Sequence, residues 1–162
     1  MTILSPAEVL KMIPQQRPMR FVDNILELDD EHILGTYTWK DEDCDGHFPG
    51  YPVVPGVKLI EMAAQVGSVG WCIYHIAKTV SPAEISQLVG FFTSVEKAVF
   101  KKPVRPGERV IAQATFGDAG YFRGNKLVSE VEIQFHGGPK DGETVFIGTT
   151  AGMFVPKNTE GN

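Results

Sequence analysis

The sequence predicts an α+β fold in which one curved antiparallel β-sheet wraps around a long central α-helix. Three observations predict it. After Gly56 the chain runs to about Ala77 without proline, and its apolar residues surround the helix instead of forming one stripe, so the helix must be covered on most sides. Segments rich in β-branched and aromatic residues flank it, two before and four after, divided by turns of Gly, Pro and Asp. No stretch has the composition of a linker, so residues 1–162 read as one domain, large enough to bury roughly 70% of the surface its unfolded chain would expose.

Each element has a local cause. Ser5-Pro6-Ala7-Glu8 has the spacing of a capping box and precedes Val9, Leu10, Met12 and Ile13, which makes a short amphipathic helix, with residues 1–4 expected to be flexible. Residues 21–28 and 33–39 form a hairpin across the polar turn Asp29-Asp30-Glu31-His32. From 41 to 55 acids, Gly and Pro take over, and Pro49, Pro52 and Pro55 exclude a regular helix, leaving an ordered loop before the long helix. Ser81-Pro82-Ala83-Glu84 repeats the capping signature. Strands are expected at 89–101, 109–116, 127–136 and 144–155, with turns at 103–107, 117–124 and 137–142 and a frayed tail at 157–162.

Composition narrows the function classes. With 43% apolar and 22% charged residues the chain is neither disordered nor fibrous, and a net charge of -5 argues against nucleic acid, whose binding rests on clustered Lys and Arg. The run 62–74 is broken by Gln65, Gly67, Ser68 and Gly70 and falls short of the ~20 apolar residues of a membrane span. The two cysteines, Cys44 and Cys72, and the lack of a basic start with an apolar run are those of a reduced, cytoplasmic protein.

Chemistry concentrates in residues 45–56, Asp-Gly-His-Phe-Pro-Gly-Tyr-Pro-Val-Val-Pro-Gly, where rigid prolines fix a loop carrying His47. That loop feeds the helix N-terminus at Gly56, where unpaired N–H groups and the helix dipole favour negative charge. Glu61, Gln65, Ser68 and Cys72 fall at i, i+4, i+7 and i+11 on an otherwise apolar helix, so the Glu61 carboxyl is expensive to ionise. Acid, base and oxyanion site are thus implied together. A lone His in such a loop is more often structural, and only its spacing to Gly56, Glu61 and Gln65 argues for catalysis. Asp43, Cys44, Asp45 and His47 lack the paired Cys or His spacing of a metal site. Cys72 and His75 read as core packing and helix end, and His32 and His136 as turn and strand surface.

The run His47-Phe48-Pro49-Gly50, then Pro52-Val53, Pro55-Gly56, Glu61 and Gln65, resembles the active-site signature of the bacterial 3-hydroxyacyl-[acyl-carrier-protein] dehydratases. Gly90-Phe91, the block from Lys97 to Gly107 and the upstream Val22-Asp23 extend the resemblance over residues 12–154. The resemblance implies a hot-dog fold with active sites at a homodimer interface, in a dimer or a trimer of dimers. It implies His47 as the base that takes the C2 proton and Glu61 as the acid that protonates the departing C3 hydroxyl. The Gly56 N–H would hold the thioester oxygen, the Val53 carbonyl would orient His47, and Gln65 would orient Glu61. The partner would be acyl carrier protein, whose phosphopantetheine carries the substrate, with no dissociable cofactor. A sister branch that also isomerises the product has Asp at the acid position, so Glu61 favours the plain dehydratase. Met19, Arg20, Tyr51 and Lys58 depart from the pattern, as does a longer segment at 136–143.

Lys97, Lys101, Lys102 and Arg105, extended by Arg123 and Lys126, are either a solvated strand and turn or a docking patch for the acidic carrier protein. Two rival readings are a hot-dog thioesterase, in which a carboxylate activates water, and a non-catalytic subunit paired with an active homologue.

Overall fold

The computed structural model describes residues 2–159. Helix α1 (Pro6–Met12) starts on a complete capping box, in which Ser5 Oγ accepts from the Glu8 N–H and the Glu8 carboxylate accepts from the Ser5 N–H at 2.8 Å. Leu4, Val9 and Ile13 enter the core, so the loose start expected for residues 1–4 does not hold for Leu4, whose apolar side chain is 4% exposed. Met1 lies outside the described residues.

The hairpin is present as β1 (Asn24–Leu28) and β2 (His32–Thr38), turned by Asp29, whose Oδ1 accepts from the N–H groups of Glu31 and His32 at 2.8 and 2.9 Å. The first strand starts later than residue 21 because the Phe21 amide donates to Gln65 Oε1 at 2.8 Å. Phe21 and Val22 therefore enter the core instead of the ladder. Helix α2 (Gly56–Ala64), a wider-wound π segment (Gln65–Gly70) and helix α3 (Trp71–Ile76) form the central helix of 21 residues, and α4 (Pro82–Ile85) starts on the second capping box.

The remaining strands are β3 (Leu88–Phe100), β4 (Arg109–Thr115), β5 (Tyr121–Arg123), β6 (Lys126–Phe135) and β7 (Thr144–Pro156). Pairing is antiparallel in the order β1-β2-β4-β6-β7-β3, with β5 beside β6. This is the hot-dog arrangement. Strand β5 falls where a turn was expected, since three residues between glycines carry too little pattern to read. The tail also differs: Lys157–Thr159 make a 3₁₀ turn held by Lys157 N–H on Gln87 O at 3.0 Å, while residues 160–162 lie outside the described residues.

One face of the sheet, with Val110, Ala112, Ala114, Leu127, Val131 and Ile133, covers the helix residues Leu59, Met62, Val66 and Ile73. Burying each large apolar side chain contributes about 1.5–3 kcal/mol. Small residues set how close the helix comes. A Cβ on Gly67 would stand 2.5 Å from Ser129 Oγ, and one on Gly152 would stand 2.9 Å from Ser68 Cβ. Strand β3 is different in kind: it pairs only with β7, and Phe91, Phe92, Val95, Val99 and Phe100 are exposed along it. Among the described residues no helix is long and apolar enough to cross a membrane.

Candidate active site

The His47 loop is built on a buried polar anchor. The 3₁₀ turn Asp41–Cys44 buries Asp43, whose Oδ2 accepts from Tyr37 Oη at 2.8 Å and from the Lys40 N–H at 2.9 Å. Arg17 donates to Tyr37 Oη at 3.0 Å, and Lys58 Nζ donates to the Asp43 carbonyl at 2.7 Å. Burial and the adjacent Asp43 carboxylate push the Tyr37 phenol up, so it stays neutral and donates. From this turn the Cys44 carbonyl receives the His47 N–H at 2.8 Å, and the His47 carbonyl receives the Val53 N–H at 2.8 Å.

His47 is half-buried, and its Nδ1 lies 2.9 Å from the Val53 carbonyl. A carbonyl only accepts, so Nδ1 carries the hydrogen and Nε2 of the neutral ring keeps its lone pair. The imidazole stacks on Phe48 at 4.1 Å between ring centroids. Val53 thus meets the imidazole through its backbone.

Gly56 is the first residue of α2, after Pro55, and no side chain caps this end. Its N–H has no acceptor within the helix. A Cβ here would meet the Phe100 ring at 3.0 Å, so glycine keeps the backbone directly beneath the end of β3.

Glu61 lies one turn further in, half-buried, and accepts from Gln65 Nε2 at 2.8 Å. Gln65 is fully buried and saturated: Nε2 also donates to the Met19 carbonyl at 2.6 Å, and Oε1 accepts from Phe21. Burial raises the Glu61 pKa above the ordinary carboxylate value, and the Gln65 hydrogen bond opposes part of that rise. Glu61 lines a narrow cavity of about 20 Å³ together with Gln15, Ser68, Phe91, Gly152 and Met153.

The structure therefore pairs His47 with Val53 and Glu61 with Gln65, but His47 does not line the Glu61 cavity of its own chain. Ser68 does, with its hydroxyl 2.8 Å from Thr150 Oγ1. The i→i+5 winding of Gln65–Gly70 interrupts the 3.6-residue period before Cys72, whose thiol points to the Asn125 carbonyl at 3.8 Å and is pushed up to about 12 by burial.

The basic residues do not form one cluster. Arg105 lies over the Tyr51 ring at 4.4 Å beside the His47 loop, Lys102 is ion-paired with Glu143, and Lys101 is exposed. Lys97, at φ 52 in a bulge of β3, lines a groove on the outer face of the sheet with Gln113, Glu130 and Glu132. Sequence reasoning missed the Arg17–Tyr37–Asp43 anchor and Gln15. The anchor's members are 20 and 6 residues apart along the chain, and no local pattern marks them.

The chain is similar to known proteins in sequence and in fold. Residues 40–127 match the ApeI-like family, described as ApeI dehydratase. The chain is 38% identical over 117 residues to a 3-hydroxyacyl-[acyl-carrier-protein] dehydratase FabZ of Desulfotalea psychrophila, covering 67% of this chain and 74% of that protein. It is 35% identical over 112 residues to the FabZ of Geobacter metallireducens, covering 67% and 71%. Its fold is similar to that of the dehydratase heterocomplex ApeI:P from Xenorhabdus doucetiae, with a TM-score of 0.70 at 19% identity over 95% of this chain and 93% of that one. Matches in sequence and in fold lead to one assignment: the chain belongs to the 3-hydroxyacyl-[acyl-carrier-protein] dehydratase family.

Proposed function

We propose that the protein removes water from a 3-hydroxyacyl thioester carried on acyl carrier protein, giving the trans-2-enoyl thioester, at a site that two chains complete together. The observation that supports this reading is where Gly56, which follows the His47 loop, and Glu61 fall along the edge strand β3. Phe100 at one end lies against Gly56, which ends the His47 loop, while Phe91 near the other end lines the Glu61 cavity. Measured along β7, where their pairing partners are Met153 and Phe146, these ends are about 23 Å apart at ~3.3 Å per residue. A second chain added by a two-fold axis, β3 antiparallel to β3, sets the Phe100 end of one chain beside the Phe91 end of the other. Such pairing would cover Phe92, Val95 and Val99 and bring His47 of one chain to Glu61 of its partner.

In the elimination, Nε2 of His47 takes the C2 proton and the new electron pair forms the C2–C3 double bond. The C3–O bond breaks as Glu61 donates its proton, and water leaves. The Gly56 N–H meets the negative charge that gathers on the thioester oxygen, a contribution of about 3–4 kcal/mol in comparable oxyanion sites. Loss of water involves no net oxidation or reduction, so the step calls for no redox group. Burial favours the acid form of Glu61 that this role needs and works against the ionised carboxylate a thioesterase would use. Arg105, Lys102 and Lys101, near the loop, are the docking residues we assign to the carrier protein; reversing their charges should raise KM for carrier-bound substrate and not for a pantetheine thioester.

The test is subunit mixing. His47→Ala and Glu61→Gln chains unfolded and refolded together should give about half mixed dimers, each with one intact site, and so return roughly a quarter of wild-type activity. Verified exchange without recovery rejects the shared site.

A further inference from the structure

Among the described residues three buried side-chain polar atoms lack a hydrogen-bond partner in the protein: Gln15 Oε1, Trp39 Nε1 and His75 Nε2. Trp39 packs against Phe21 and Tyr37, and His75 is set among Trp71, Tyr74, Phe116 and Phe122, so both are enclosed by aromatic rings. Gln15 is different. It lines the same narrow cavity as Glu61, following Pro14 at the end of α1 and leading into the segment whose Met19 carbonyl and Phe21 amide clamp Gln65. The other polar side chains of that lining are engaged, Glu61 with Gln65 and Ser68 with Thr150.

An acceptor with no partner in the protein, on a residue that lines the same cavity as an acid, suits one chemical group, an alcohol that must receive a proton while giving a hydrogen bond. We propose that Gln15 Oε1 accepts the hydrogen of the substrate's C3 hydroxyl while Glu61 protonates its oxygen, which makes Gln15 a third catalytic residue; this rests on Glu61 being the acid. As the C3–O bond breaks, the oxygen gains the Glu61 proton and its own O–H becomes a stronger donor. The bond to Gln15 therefore tightens toward the transition state and acts on kcat. It also selects for a hydroxyl at C3, because a saturated chain leaves the acceptor unpaired.

The test uses the full chain, a 3-hydroxyacyl pantetheine thioester as substrate and the saturated acyl thioester of equal length as competitive inhibitor. Gln15→Met keeps the length and removes the acceptor; kcat should fall about tenfold, the loss of one hydrogen bond, with the inhibition constant of the saturated thioester unchanged. Unchanged kcat, or an equal loss of inhibitor affinity, overturns the proposal. Gln15→Glu keeps an oxygen in place and adds a carboxyl beside Glu61, so the alkaline limb of kcat should move to higher pH; a stationary limb also overturns it. Near-native turnover in Glu61→Gln would instead remove the acid reading beneath it, whereas an inactive Glu61→Gln beside a fully active Gln15→Met rejects Gln15 alone.

Discussion

The His47 loop and the Glu61 helix hold their reactive groups in opposite ways. His47 is oriented by backbone: its ring meets the Val53 carbonyl, its amide the Cys44 carbonyl, and its carbonyl the Val53 amide. Glu61 is oriented by one side chain, Gln65, which is itself fixed by two backbone groups of the segment 19–21. A loop without regular hydrogen bonds must supply its rigidity from local backbone pairing, whereas a residue on a helix has its backbone already committed and can be tuned only by neighbours. The Glu61 carboxyl is therefore sensitive to single substitutions around it, and the His47 ring is protected from most of them.

The comparison can be broken at its centre. His47→Ala and Glu61→Gln should each lower dehydration by about 10² to 10⁴-fold, seen as slower growth of enoyl absorbance with an unchanged circular dichroism spectrum. Near-native turnover in either one ends its proton-transfer role.

Gln65→Leu comes next. It strands the Met19 carbonyl and the Phe21 amide and removes the hydrogen bond that supports the Glu61 carboxyl, so stability should fall by about 2–4 kcal/mol in urea titration. Gln65 lowers the Glu61 pKa, so its loss raises that pKa further and the alkaline limb of kcat should shift upward. A downward shift would contradict the assignment of Glu61 as the acid.

On the loop side, Asp43→Ala leaves Tyr37 Oη and the Lys40 amide without their shared acceptor and should cost about 2 kcal/mol, with kcat reduced several-fold and KM little changed. Because Asp43 touches the loop's base and not His47 itself, a loss as deep as that of His47→Ala would show that the anchor does more than hold the turn. The smallest effect belongs to Val53→Ala. Its carbonyl and amide remain, so turnover should stay within about threefold of wild type, and a larger loss would mean that side-chain packing orients the imidazole.

How much of this could be read beforehand depends on the range of the interactions. Ser5-Pro6-Ala7-Glu8 and Ser81-Pro82-Ala83-Glu84 announce helix starts because a capping box closes within four residues, and both boxes form. The alternation of β4 and β6 and the apolar surround of the central helix are equally local, so the sheet, the helix and the polar pair Glu61 and Gln65 were legible. Tertiary structure decided the rest. The π segment arises where the helix is pressed against Ser129 and Gly152, and it interrupts there the 3.6-residue period that the sequence implies. The bulge at Lys97 sends that side chain to the outer face, and the Arg17–Tyr37–Asp43 anchor and the Gln15 acceptor join segments distant in sequence. The sequence by itself determined the elements and, within each unbroken helix turn or strand, which residues share a face, because hydrogen-bond periodicity acts over a few residues. Which of those faces meet, and how far the helix must unwind to let them, was decided only when the sheet closed over it, because close packing is a property of the assembled core.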